Sequence, residues 1–240
     1  MLMFPDLSTR QLGSEVMDNP ELDRESHIAA LKGLSRLNWI SHSARILWQP
    51  IRQLARSQAS TPLRVLDIAT GSGDIPIALG QRAAKENIPL HLTAIDVSPR
   101  ALEFAACRAT AANVDIDFRQ GDVRRDHFGT GFDVVICSLF LHHLEREHAV
   151  DLLQQMAVAT NHLLLVNDLR RCQMGYFLAY TAGRLFTRSR VVHVDGPLSV
   201  KAAFTMAEVE QMAKQAGLSS ARIGRRWPCR YLLQWDKGFA

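Results

Sequence analysis

From Leu63 onward the chain repeats one pattern: a short apolar run, a helical stretch, then another apolar run. The runs are RVLDI, LHLTAID, DIDFRQ, FDVVICS and HLLLVND. The spacers DIPIALGQRAAKE, PRALEFAACRATAA and residues 146–160 carry apolar positions at helical spacing. Parallel neighbours can be joined only by a crossover of about a dozen residues, which these spacers supply. The alternation therefore predicts an α/β fold, a doubly wound, mostly parallel sheet with helices on both faces.

In such a sheet, ligands bind beyond the carboxyl ends of the strands, where the strand order reverses. The first run ends at Asp67–Ile68–Ala69, and Thr70–Gly71–Ser72–Gly73 follows as a tight turn. Glycine suits a turn whose amides a ligand must approach. A dinucleotide fingerprint needs a third glycine, GxGxxG, and here that place is Pro76. Asp67 just before the turn would repel a pyrophosphate and welcome a ligand carrying an ammonium group. S-adenosylmethionine is such a ligand and has no phosphate. Asp96 ends the second run, where a carboxylate binds ribose hydroxyls, in NAD enzymes equally. Asp122 follows the third, placed to accept from an adenine amino group. Any one acid is unremarkable at a strand end or helix cap; three at successive ends beside a glycine turn form a set.

Two helices precede the sheet. Asn19–Pro20 reads as a cap with proline at the first helical position, opening a helix over 20–38. A second helix is expected over 43–56, and SQASTP closes this helical preface, residues 1–60. Residues 61–240 then form the main domain. Within it, residues 169–204 stand as an insertion where a substrate cover would lie. Met174, Phe177, Leu178, Thr181 and Leu185 share one helical face there. Thr205 and Glu208 form a capping box for a last helix that ends at Gly217. ARIGRR and RYLLQW close the sheet.

Composition narrows the function classes. The net charge of +4 is mild and the basic residues are scattered, so nucleic acid is not implied. Four cysteines without CxxC spacing suit reduced thiols in a cytoplasmic protein, with no metal site expected. No apolar run approaches the ~18 residues of a membrane span, and MLMFPDLSTR lacks the pattern of a secretory signal.

In VLDIATGSGD, AIDVS, GDV and FDVVICSLFLHHL, in that order, the sequence resembles the class I S-adenosylmethionine-dependent methyltransferases. The resemblance covers residues 62–168 and the two closing strands. It implies a Rossmann-like seven-stranded sheet whose last strand is antiparallel, and S-adenosylmethionine as cofactor, released as S-adenosylhomocysteine. Asp67, Ala69, Thr70, Gly71 and Gly73 would line the methionine part, Asp96 and Val97 the ribose and adenine, and Asp122 and Val123 the adenine. Ser138 would lie under the sulfonium. Ala69 departs from the glycine of many members and resembles the quinone-biosynthesis branch. The preface and insertion look like methyltransferases found beside type III polyketide synthases, which act on phenolic lipids or related polyketides.

A phenol with an unperturbed pKa of about 10 is mostly neutral at pH 7, so a base helps its methylation. His143 is the foremost candidate, with His142 beside it, both directly after the fourth strand. His193 with Asp195 as orienting carboxylate, and Asp168 at the end of the fifth strand, are further candidates. The expected activity is O-methylation of a phenolic or polyketide-derived small molecule by a protein that could form a homodimer. C-methylation of a quinone precursor, an NAD-dependent oxidoreductase and a non-catalytic cofactor-binding module are the alternatives. The place after the fourth strand reads CSLF, without the proline and amide expected of methyltransferases acting on nucleic acid bases.

Overall fold

The computed structural model describes residues 5–19, 21–58 and 62–239. Seven strands form one sheet: β1 (Leu63–Ile68), β2 (Leu90–Asp96), β3 (Asp117–Gln120), β4 (Phe132–Ser138), β5 (Thr160–Leu169), β6 (Arg222–Arg226) and β7 (Arg230–Asp236). Their order is β3-β2-β1-β4-β5-β7-β6. β1 to β5 are mutually parallel, and β7 runs antiparallel to both β5 and β6. The chain winds outward from β1 through β2 to β3, then returns to place β4 on the other side of β1. The order thus reverses between β1 and β4, and a crevice opens beyond their carboxyl ends.

The helices are α1 (Arg24–Ile40), α2 (Ser43–Ser57), α3 (Asp74–Lys85), α4 (Pro99–Ala111), α5 (Arg146–Ala159), α6 (Gln173–Phe186), α7 (Arg190–Ala202) and α8 (Met206–Gln215). Central strands bury both faces, as their near-continuous apolar sequences require. Leu66, Val135, Leu164 and Val166 pack with Leu153 and Met156 of α5 and Val209 and Met212 of α8. On the opposite face Val65, Val134, Ile136 and Leu165 meet Leu47 and Ile51 of α2 and Ile75 and Leu79 of α3. The Thr205–Glu208 capping box is present as expected.

One local expectation needs correction. α1 begins at Arg24, because Asp23 supplies the cap by accepting from the Ser26 amide at 2.8 Å. Asn19 instead closes a turn through the Glu21 amide, and Pro20 lies outside the described residues, as do positions 59–61 of SQASTP. RVVHVDGPLSVKA is the helix α7, although its β-branched run and Gly-Pro pair suggest a strand or turn. Ser189 caps it, and Val191, Asp195, Ser199 and Ala202 fall on its buried side.

Candidate active site

The turn after β1 is built from left-handed backbone. Ala69, Gly71 and Gly73 have φ of 54°, 54° and 69°. A Cβ at Gly71 would meet nothing within 4 Å, so its outer side is open space toward the crevice. A Cβ at Gly73 would lie 2.9 Å from Cβ of Ala105, which is why α3 and α4 can pack so closely there. Ala69 keeps its side chain in a conformation that favours glycine.

The three acids stand as the sequence implies, each in a different state. Asp67 is buried and accepts the Thr70 hydroxyl at 2.6 Å. Burial pushes its pKa up to about 7; the Thr70 bond opposes the rise, and the charges of Asp74 and Asp96 add to it. Asp96 accepts the amides of Gly71 at 2.7 Å and Ser98 at 2.9 Å, so it fixes the glycine turn as well as facing the crevice. Its carboxylate oxygens are acceptors of the kind to which a sugar hydroxyl donates. Asp122 is already engaged: Arg124 Nε and Nη2 donate to its two oxygens at 3.0 and 3.1 Å. The Arg124 hydrogen bond holds its carboxyl below the usual range, against the opposing effect of burial. An adenine amino group would have to share it with that guanidinium. Val97 is exposed beyond β2, whereas Val123 is buried in the core beside Ile95. Ser138 ends β4 and accepts from Asn167 Nδ2 at 3.1 Å, while Asn167 Oδ1 is buried without a partner among the described residues.

Across the crevice the structure brings His142, His143 and Asp168 together and adds Glu15. Asp168, at the end of β5, accepts His142 Nδ1 at 2.6 Å, the His142 amide at 3.1 Å and the Leu169 amide at 2.6 Å. Burial raises the Asp168 pKa, but the His142 charge and hydrogen bond with the two amides outweigh it and hold the carboxyl below its ordinary value. Nδ1 of His142 faces Asp168, and the other ring nitrogen, Nε2, lies 4.0 Å from Glu15 Oε1. His143 Nε2 lies 4.0 Å from Glu15 Oε2, and the two imidazole rings are 4.3 Å apart. The carboxylate therefore orients His142, the more buried ring, and not His143, which stacks near Phe140. The three ligand atoms of Glu15, His142 and His143 lie within 4.8 Å of one another, a donor set that could also take a divalent ion.

His193 and Asp195 do not form a pair. His193 Nε2 meets the Thr187 carbonyl at 3.0 Å, and Asp195 accepts the amides of Val16 and Met17 at 2.9 and 3.0 Å. One helical turn does not bring residues i and i+2 to the same face. What Asp195 does is hold down the segment that carries Glu15. Arg10 fastens the same segment by donating to the carbonyls of His142 at 2.8 Å, Leu144 at 2.7 Å and Ala202. Ser199 donates its hydroxyl to Glu15. Neither Glu15 nor Arg10 was signalled by any motif. Arg230 was also missed: buried at the start of β7, it contacts Ser43 and Asn38, and burial lowers its pKa to about 10.

Comparison with known proteins places this geometry. The sequence model of the family described as methyltransferase domain matches residues 65–162. The chain is 36% identical to the demethylmenaquinone methyltransferase of Deinococcus radiodurans over 85 residues, 35% of this chain and 34% of that protein. The chain thus matches about a third of the length of that curated relative. Its fold is similar to SibL, described as an S-adenosylmethionine-dependent methyltransferase, with a TM-score of 0.62 at 21% identity, covering 98% of this chain and 64% of SibL. It is also similar to the magnesium protoporphyrin IX methyltransferase of Synechocystis PCC 6803, solved with bound S-adenosylhomocysteine. There the TM-score is 0.56 at 16% identity, covering 91% of this chain and 90% of that one. The glycine turn, the acids at successive strand ends and the reversal of strand order between β1 and β4 lie within the matched stretch: residues 65–162 are similar to a methyltransferase domain, and the chain shares its fold with methyltransferases of known structure.

Proposed function

We propose that the protein is an S-adenosylmethionine-dependent methyltransferase acting on a small molecule, and that the acceptor is a phenolic or polyketide-derived hydroxyl. The observation that carries the reading is the Asp168–His142 pair, held at the carboxyl ends of β4 and β5 across the crevice from the β1 turn. The residues fit the cofactor in three respects. Gly71 leaves open space where a side chain would stand, Asp67 offers a buried carboxylate to an ammonium group, and Asp96 stands at the end of β2 beside the glycine turn as an acceptor for a ribose. Ala69, Thr70, Gly73, Val97 and Ser138 complete the surround, with Asp122 shared with Arg124. When bound, S-adenosylmethionine supplies an activated methyl group, so positioning can account for much of the rate.

The chain's own residues then handle the proton. Asp168 fixes His142 as the tautomer with a free Nε2 and stabilises the imidazolium once it forms. Nε2 accepts the acceptor's hydroxyl proton, and His143, closer to solvent, passes it outward. The segment 5–19 covers the pair, so water is excluded from His142 and Glu15 must shift before an acceptor hydroxyl reaches Nε2. The match of residues 65–162 to a methyltransferase domain favours methyl transfer over the dinucleotide alternative.

The test is calorimetry with S-adenosylhomocysteine, followed by a labelled-methyl assay on alkylresorcinols, alkylpyrones and quinols. Saturable binding with label on an oxygen is expected. Label on ring carbon of a quinol would favour C-methylation, the alternative that the demethylmenaquinone methyltransferase relative suggests. Binding without any methylated product, and no effect of substituting His142 or His143, would leave only a cofactor-binding module.

A further inference from the structure

α6 packs inside out. Its buried residues are Gly175 and Gly183. Gly183 lies against His193 and the Val192 carbonyl of α7, and Gly196 of α7 lies against Ala179. The large apolar side chains turn the other way: Met174, Phe177, Leu185 and Phe186 are 57%, 45%, 76% and 45% exposed. Met174, Phe177, Thr181 and Leu185 form one stripe along the helix, the face that the sequence pattern marks as apolar. Val194 of α7 adds a half-exposed side chain. Arg36 of α1 donates to the Phe186 carbonyl at 3.2 Å, and one turn further along α1 Trp39 is 80% exposed. Contiguous exposed apolar surface of this kind marks an interaction site.

The charge around the stripe has one sign. Between residues 169 and 207 the sequence holds Arg170, Arg171, Arg184, Arg188, Arg190 and Lys201 against a single acid, Asp195. Asp195 is buried on the Val16 and Met17 amides, and Arg171 is buried against Glu208. Arg184, Arg188 and Arg190 are exposed at the end of the stripe. Arg184 lies over the Tyr180 ring, 3.6 Å from its centroid, with its stem along the helix.

We propose that this face, α6 with the adjoining end of α1, docks on the surface of a bilayer containing anionic lipids. An apolar stripe flanked by arginines is the arrangement with which a helix lies in a membrane interface, side chains in the acyl boundary and guanidinium groups among phosphates. No helix among the described residues is long and apolar enough to cross a membrane, so the contact is with one leaflet. A second copy of the chain suits the face less well. A twofold contact would bring three exposed arginines from each copy to the interface, with no exposed carboxylate in the segment to offset them. α6 begins five residues after Asp168, so the docked face adjoins the acceptor crevice. On the methyltransferase reading proposed above, the acceptor is then an amphiphile taken from the leaflet.

The experiment is co-sedimentation of the full chain with sucrose-loaded vesicles of phosphatidylcholine alone or with about 30% phosphatidylglycerol, at low and high salt. The expected result is partitioning onto the anionic vesicles at least tenfold above the neutral ones, falling as salt rises. Phe177→Ser with Leu185→Ser, and separately Arg188→Gln with Arg190→Gln, each lower the partition coefficient about tenfold or more. Their melting temperatures and S-adenosylhomocysteine affinities stay at the wild-type values. Partitioning that is equal on both vesicles, or unchanged in both variants, overturns the proposal. So does a dimer in sedimentation equilibrium that the Phe177/Leu185 variant dissolves. Loss of cofactor affinity in the wild-type chain would count against the methyltransferase reading and leave the vesicle result standing on its own.

Discussion

Gly71 and Gly73 sit two residues apart in the same turn, yet alanine at each should fail differently. Both have positive φ, and a side chain there costs about 1–2 kcal/mol. At Gly71 nothing else is added, because the new methyl meets no atom within 4 Å. Gly71→Ala should therefore cost about 1 kcal/mol and lower the melting temperature by about 2–4 °C. At Gly73 the methyl falls 2.9 Å from Cβ of Ala105, and the Ala105 Cα stands 3.5 Å away behind it. That carbon belongs to α4 and cannot rotate aside, so overpacking of about 1–3 kcal/mol is added. Gly73→Ala should cost about 3 kcal/mol or more and lower the midpoint by about 6–12 °C. The ligand effect runs in the opposite order, since the Gly71 methyl fills the space assigned to the cofactor. Calorimetry with S-adenosylhomocysteine should show at least a tenfold loss for Gly71→Ala in a protein that melts almost normally. Unchanged affinity in that variant, or equal melting of the two, would refute the assignment of the turn.

Three further outcomes follow from the site. Asp67 has a folded pKa of about 7 against an ordinary 3.8, so its contribution to the stability of the free protein is full below about pH 4 and is lost as pH rises through about 7. S-adenosylhomocysteine affinity should move the other way, weakening by up to about tenfold per pH unit below 7, because the ammonium needs the carboxylate; a flat profile between pH 5.5 and 8 would sink this assignment. Asp168→Asn should lower kcat by about a hundredfold or more while leaving cofactor affinity intact, since the His142 tautomer is no longer enforced; turnover at the wild-type rate would remove the pair from the mechanism. His193→Gln should change turnover by less than about twofold, as its Nε2 is engaged by the Thr187 carbonyl; a large loss in steady-state rate would restore it as a candidate base.

The sheet was legible because its strands are short, buried on both faces and punctuated by capped helices. The ends of β1, β2 and β4 were therefore set by local signals such as Asp67, Ser98–Pro99 and Ser138. The glycine turn was equally plain, being a backbone requirement written in residue type. α7 was not legible, because Val191, Val192 and Val194 favour a strand locally and Gly196–Pro197 a break, whereas the buried spacing of Val191, Asp195, Ser199 and Ala202 is helical. Tertiary contact with α1, α6 and the Val16 segment outweighs those propensities. The two histidines stand out in the sequence, but which ring Asp168 meets does not, because Asp168 and His142 lie 26 residues apart and a strand register decides it. Glu15 had no local signal at all. Its importance comes from where Arg10 and Asp195 pin the backbone, and both partners are distant in sequence.

That pinning bears on how the protein is made. The Arg10 side chain reaches carbonyls 132 and 134 residues ahead, and the Arg171 guanidinium reaches back 164 residues to Leu7. The stretch around Leu7 to Val16 is thus among the last to be seated, after the helices that receive it have formed. Refolding followed by circular dichroism and by turnover should show secondary structure returning ahead of catalysis, with the interval set by closure of these long loops.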